Sequence, residues 1–137
     1  MNTYTFDADI QLLCQQVSSF PEGIKDAFDQ LMRQVPQPHL RHFYGVSYLD
    51  HQGNIIYKVA TSALSTDEAP TLGLELFTIP AGDYLYETML DWQSKTHLVK
   101  DVFMKLMQLP LFDDTFPCIE WYQTDTTLLC LVRKNIH

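Results

Sequence analysis

Apolar positions recur along this chain in two periods, one helical and one alternating, and their order divides the sequence into two similar rounds. Ile24, Ala27, Phe28, Leu31 and Val35 fall at i, i+3, i+4, i+7 and i+11, a single apolar stripe that predicts an amphipathic helix. Pro21 opens this helix where a missing N–H does no harm, and Pro36 and Pro38 stop it. Ahead of it, residues 10–20 carry Leu12, Leu13, Cys14 and Val17 and predict a strand. Behind it, the aromatic-rich run 43–49, the turn residues 50–54 and the apolar run 55–60 predict a β-hairpin. The polar stretch 61–70 predicts a loop.

A second round follows. Residues 74–89 predict a long strand or a broken pair, interrupted at Pro80-Ala81-Gly82, because proline cannot donate to a central ladder. A helix is predicted over 94–109, with Leu98, Val99, Val102, Phe103, Leu106 and Leu109 inward and Pro110 at its end. Runs 117–122 and 128–133 predict a second hairpin turning at 123–126. The two hairpin turns, near Gly53 and Asp125, lie about 70 residues apart. Strand, helix, hairpin thus occurs twice, without sequence identity between the rounds. Strands that come as antiparallel hairpins favour an α+β fold over a doubly wound sheet. The expected arrangement is two pseudo-twofold-related modules side by side, helices on one face and a cleft between them.

The length of 137 residues fits one domain, 1–137. Seventeen Asp and Glu against nine Lys and Arg give a net charge of −8, and the basic residues form no stripe. Such a field repels polyanions, so direct nucleic-acid binding is not expected and a cationic small molecule suits the charge better. Cys14, Cys118 and Cys130 are odd in number and far apart, which argues against a disulfide framework or a zinc site and for a reducing compartment. The first residues lack the layout of a signal peptide, and no apolar run has the length of a membrane span. The expectation is a cytoplasmic protein with no membrane contact.

Glu120 is the residue that invites chemistry. In Cys118-Ile119-Glu120-Trp121-Tyr122, alternation places it on one face with Cys118 and Tyr122, and places Ile119 and Trp121 on the other. A carboxylate buried in an apolar strand needs compensation from an arginine, a hydrogen-bond network or a bound cation; on an edge strand it would simply be solvated. Tyr44 and Tyr48 share a face of the first hairpin, with Tyr57 on its partner strand, and Tyr84 and Tyr86 share a face of the second round. Tyrosine rings line pockets, stack on planar ligands and attract cations, although singly they are more often packing residues. Glu75, Glu87 and Glu120 offer material for a paired-carboxylate site, which nothing in their spacing requires. The chain carries no zincin, nucleophile-elbow, Walker or dinucleotide motif, so no cofactor and no metal is expected.

Taken in order, Phe20-Pro21-Glu22-Gly23-Ile24 with Ala27-Phe28 and Leu31, then Tyr44-Gly45-Val46-Ser47, Ile79-Pro80-Ala81-Gly82-Asp83-Tyr84, Asp91-Trp92, Phe103 and Ile119-Glu120-Trp121-Tyr122, resemble the gyrase-inhibitor-like (GyrI-like) effector-binding domain. The resemblance runs from about Phe20 to Arg133 and is greatest to stand-alone, transcription-regulator-like forms. It implies two strand-helix-hairpin modules with a ligand cleft between them, and a late-strand glutamate facing the ligand among aromatic rings. Glu120 matches that glutamate. Tyr44, Tyr84 and Trp92 sit in family-like motifs, and Tyr57 and Tyr122 join them as candidate ligand contacts. The resemblance implies binding of a small amphipathic, cationic organic molecule, without a helix-turn-helix for DNA. Two alternatives remain open: a hydrolase in the same cleft with Glu120 as general base, as in relatives that open reactive cyclopropanes, and a protein-interaction module that addresses a basic partner.

Overall fold

The computed structural model describes residues 2–18 and 22–135. Phe20 and Pro21, the predicted helix opening and the first part of the family-like run, lie outside the described residues. Among the described residues eight strands form one antiparallel sheet: β1 (Thr3–Phe6), β2 (Ile10–Gln16), β3 (Phe43–Leu49), β4 (Ile55–Ser62), β5 (Glu75–Ile79), β6 (Gly82–Leu90), β7 (Cys118–Tyr122) and β8 (Thr127–Arg133). Three α-helices accompany them: α1 (Ile24–Gln34), α2 (Glu68–Leu72) and α3 (Val99–Leu106).

The strand order is β1-β6-β8-β7-β3-β4-β2-β5. Its centre is the β7–β3 ladder, and on either side the order repeats in mirror image, β8-β6 against β4-β2. This is the expected pair of modules, β2-α1-β3-β4 and β6-α3-β7-β8, joined through their hairpins. The outermost strands are exchanged. β1 leads into β2 yet pairs with β6, and β5 leads into β6 yet pairs with β2.

That exchange forces the sheet to curl. Phe6 and Ile10 are four residues apart in sequence, a reach of about 14 Å at full extension. Their strands stand six places apart in the sheet, about 29 Å if it were flat. The same conflict holds for Ile79 and Gly82, so both crossings close the sheet into a half-barrel. The crossings touch: the Ala81 amide donates to Asp9 Oδ1 at 2.7 Å. Arg133 lies over the Tyr84 ring at 5.0 Å and donates to the Tyr84 hydroxyl and to the Pro80 and Ala81 carbonyls. Gly82, at φ +132°, holds a backbone conformation that strains any side chain, and a Cβ there would stand 3.0 Å from the Arg133 guanidinium and press on it.

Alternation gives the sheet two apolar faces. Inside the curl, Phe6, Leu12, Tyr44, Ile79, Tyr84 and Ile119 unite strands from both edges in one core. On the other face, α1 buries Leu31 against Leu13, Tyr57 and Val59, and α3 buries Phe103 and Leu106 against Leu85, Leu128 and Val132. The hairpin turns have the expected chemistry: Asp50 Oδ1 accepts from the amides of Gln52 and Asn54, both at 2.9 Å, and Gly53 adopts φ +82°.

Several boundaries differ from the sequence reading. β2 ends at Gln16 rather than running to residue 20. The stretch read as the loop 61–70 holds the end of β4 and most of α2, whose Ala69 is buried against the α1 side. Gly73, left-handed at φ +68°, closes that helix. The helix predicted over 94–109 is shorter, preceded by a 3-10 turn at Thr96–Leu98, and Leu98 is exposed rather than inward. No helix among the described residues is long and apolar enough to cross a membrane.

Candidate functional site

β7 and β3 meet at the centre of the sheet with Glu120 directly opposite Gly45. The Glu120 side chain lies on the helix-covered face, as its alternation with Ile119 and Trp121 predicts, and the residue is 8% exposed. Tyr57, one strand beyond on β4, donates its hydroxyl to Glu120 Oε1 at 2.6 Å, and the Tyr122 hydroxyl donates to the same oxygen. The two hydroxyls are 3.5 Å apart. Both hydrogen bonds that the described residues donate to this carboxylate therefore end on one atom.

Gly45 makes the approach possible. A Cβ at this position would stand 2.1 Å from the Tyr57 hydroxyl and 2.8 Å from Glu120 Oε1, closer than real carbon contacts allow. The bare backbone of β3 is the floor across which β7 and β4 join their polar groups. Cys130 on β8 stands opposite Glu120 on the other side, fully buried, and Cys118 is two residues away on the same strand.

Aromatic rings cover the site. Phe28 from α1 meets the Tyr122 ring edge-on at 5.3 Å. Trp92, in the 3-10 turn after β6, meets the same ring at 4.9 Å. The cover thus draws one ring from each module. Trp92 follows Asp91, a non-glycine residue in left-handed conformation (φ +54°), and its indole N–H reaches the Thr124 carbonyl only at 3.4 Å. The surface depressions beside Glu68 and beside Asp26 do not include Glu120.

Among the described residues Glu120 forms no ion pair. Burial pushes its carboxyl above the usual carboxylate range, and the hydroxyls of Tyr122 and Tyr57 pull it back in part. Burial and the facing carboxylate hold both tyrosine hydroxyls well above their ordinary range, so they remain donors. Burial raises the Cys118 thiol to about 11, and Cys130 is raised further. These thiols are not poised as nucleophiles.

Of the candidate residues, the structure gathers Glu120, Tyr57, Tyr122 and Trp92. It places Tyr44 and Tyr84 elsewhere. Both are buried inside the curl, Tyr44 stacked on Trp121 at 5.9 Å and Tyr84 edge-on to Phe6 at 5.2 Å. Register decides this, because Tyr44 faces Trp121 across the ladder and Gly45 faces Glu120. Tyr86 likewise meets Tyr4 within the curl, at 6.0 Å. The three glutamates do not form a carboxylate pair: Glu75 is bonded to Lys58 at 2.8 Å and Glu87 to Lys105 at 3.3 Å. Two members of the site escaped the sequence reading. Phe28 was read as part of a helical stripe and Gly45 as part of an aromatic strand, both within family-like runs, and neither was singled out as a site residue.

No protein-family model and no curated protein matches the chain by sequence. Solved structures do match it by shape. An integron cassette protein from the mobile metagenome of Vibrio cholerae superposes with TM-score 0.68 at 14% identity, covering 98% of this chain and 95% of that one. SAV2435, solved bound to tetraphenylphosphonium, superposes with TM-score 0.68 at 10% identity, covering 98% and 93%. A putative bacterial transcription regulation protein from Staphylococcus aureus MU50 gives TM-score 0.59 at 13% identity, covering 98% and 97%. The chain shares the fold of these proteins, and that fold is the one its resemblance to GyrI-like effector-binding domains implies.

Proposed function

We propose that this protein binds a small, largely aromatic organic cation in the cleft between its two modules, with Glu120 as the charge partner. The observation that carries this reading is a buried carboxylate that has hydroxyl donors and an aromatic cover but, among the described residues, no cationic partner. Burying such a group is costly unless something compensates its charge. A bound cation does so, and Phe28, Trp92 and Tyr122 supply the rings over which delocalised positive charge is stabilised. The negative net charge draws cations toward the molecule. SAV2435, of the same fold, was solved with an aryl cation, which makes tetraphenylphosphonium a suitable probe.

Calorimetric titration with tetraphenylphosphonium and with tetraphenylborate separates shape from charge, since the two ions have nearly the same form and opposite sign. The cation is expected to bind at least tenfold more tightly than the anion, a difference of about 1.4 kcal/mol. Glu120→Gln is expected to remove most of that preference while the variant stays folded. Equal affinity of wild type and Glu120→Gln for tetraphenylphosphonium would overturn the proposal.

A further inference from the structure

The two oxygens of the Glu120 carboxylate are not equivalent. An ionised carboxylate has roughly four lone-pair sites, two on each oxygen. Tyr57 and Tyr122 both donate to Oε1, which accounts for its two. Oε2 receives no hydrogen bond from any described residue. Nor is it sealed: the only buried side-chain nitrogen or oxygen without a partner among the described residues is Trp121 Nε1, on the other face of the sheet. Glu120 thus offers a newcomer one oxygen, on a residue that is 8% exposed.

We infer that Tyr57 and Tyr122 make Glu120 a single-oxygen anchor, so that the site selects cations with one N–H donor or none and discriminates against amidinium and guanidinium groups. The inference rests on the cation-binding reading of the same site and adds the ligand's head group to it. A fork-shaped cation gains its strength by meeting both carboxylate oxygens with two parallel N–H bonds. Here the Oε1 half of that fork meets an oxygen already saturated by phenols. The second N–H is left without an acceptor beside a residue that is almost wholly buried, and an unpaired buried donor carries a full desolvation penalty. A protonated tertiary amine loses nothing by the same arrangement, because its single N–H needs only Oε2. A phosphonium or a ring-delocalised cation needs neither oxygen as acceptor and interacts through charge and the rings. The specificity is thus built from two hydroxyls that occupy the competing position, rather than from a contact to the preferred ligand.

Two probes of equal aryl bulk test this: N,N-dimethyl-(biphenyl-4-yl)methanamine, with one N–H when protonated, and biphenyl-4-carboxamidine, with a fork. Both are monocations at neutral pH. Wild-type protein is expected to bind the amine about tenfold more tightly than the amidine, the scale of one unpaired buried donor. Tyr122→Phe frees a lone-pair site on Oε1 and is expected to bring the ratio close to one, chiefly by strengthening the amidine. Tyr57→Phe frees the other site, so the inference does not depend on either variant alone. A wild-type ratio near one, or a ratio unmoved in every tyrosine variant that folds, would overturn it. Tetraphenylphosphonium is titrated alongside. If it binds in a Glu120-dependent way while the ratio is flat, the head-group inference fails and the cation site stands. If none of the three probes depends on Glu120, the reading of the site itself has failed.

Discussion

Taking a carboxylate out of water favours its neutral form, and two tyrosine hydroxyls restore only part of what Glu120 loses. The consequence for stability has a definite sign. A carboxyl whose folded pKa lies above its unfolded value of about 4.3 binds more proton in the native state than in the unfolded state across that window. Stability therefore falls as pH rises through the window, and the deficit persists at higher pH. Glutamine has no such titration and still presents an oxygen to Tyr57 and Tyr122. Ligand-free Glu120→Gln should be more stable than wild type at pH 8 by on the order of 1 kcal/mol, with the gap narrowing as pH falls toward about 4. Thermal unfolding of both proteins across that range reads the difference directly. A gap independent of pH would show that the carboxyl does not titrate differently on folding.

At the scale of elements, the first module is tied together by Arg41, whose side chain is fully buried. It donates to the Pro36 carbonyl at the exit of α1 (2.9 Å), to the Ser62 carbonyl at the end of β4 (3.0 Å) and to both oxygens of Glu68 on α2 (2.9 and 2.5 Å). Hydrogen bonding from Arg41 holds the Glu68 carboxyl down at about 2. The pair's contribution is thus present above the ordinary carboxylate pKa and is lost as pH falls toward 2. Arg41→Met removes the donor from two carbonyls and from both Glu68 oxygens, leaving Glu68 only the Leu64 and Ser65 amides, and should cost about 3 kcal/mol in urea unfolding at neutral pH. Arg41→Lys should recover only part of this, since an ammonium cannot reproduce the planar fork. The difference between wild type and Arg41→Met should shrink on acidification. None of this was legible in the sequence, where Arg41 is one scattered cation and Glu68 lies in a polar stretch. What was legible was local. Both hairpins, the α1 stripe and the face of Glu120 follow from short-range pattern and turn residues. β1 escaped because Thr3-Tyr4-Thr5-Phe6 is four residues long and its partner, β6, lies about 80 residues on. Tyr44 became a candidate because it sits in a family-like motif and shares a strand face with Tyr48, but only the register with the neighbouring strand says which residues meet across the ladder. A one-residue offset brings Gly45, not Tyr44, to the carboxylate.

At the scale of the whole molecule, the site sits astride the ladder that joins the modules, and this limits how it can open. β3 and β7 are paired from Phe43↔Tyr122 to Ser47↔Cys118, with Tyr44, Val46 and Ile119 buried behind them. A hinge between the modules would have to break that ladder and disturb the core inside the curl, which also includes residues of the two exchanged crossings. The cover is held far less firmly. Phe28 and Trp92 touch Tyr122 through ring edges, both are only partly buried, and residues 93–98 beyond Trp92 are exposed. Opening at the cover therefore costs less than opening at the sheet. Hydrogen exchange with and without tetraphenylphosphonium should show this division. Amides of β3 and β7 are expected to keep the same protection in both states. Changes should be confined to residues 22–34, which carry Phe28, and 91–98, which carry Trp92. Trp92→Ala removes the second module's share of the cover and should abolish most of the change in 91–98 without altering the ladder. Ligand-induced changes across β3 and β7 in wild type would instead mean that the two modules move as bodies, and that the shared sheet is no barrier to their separation.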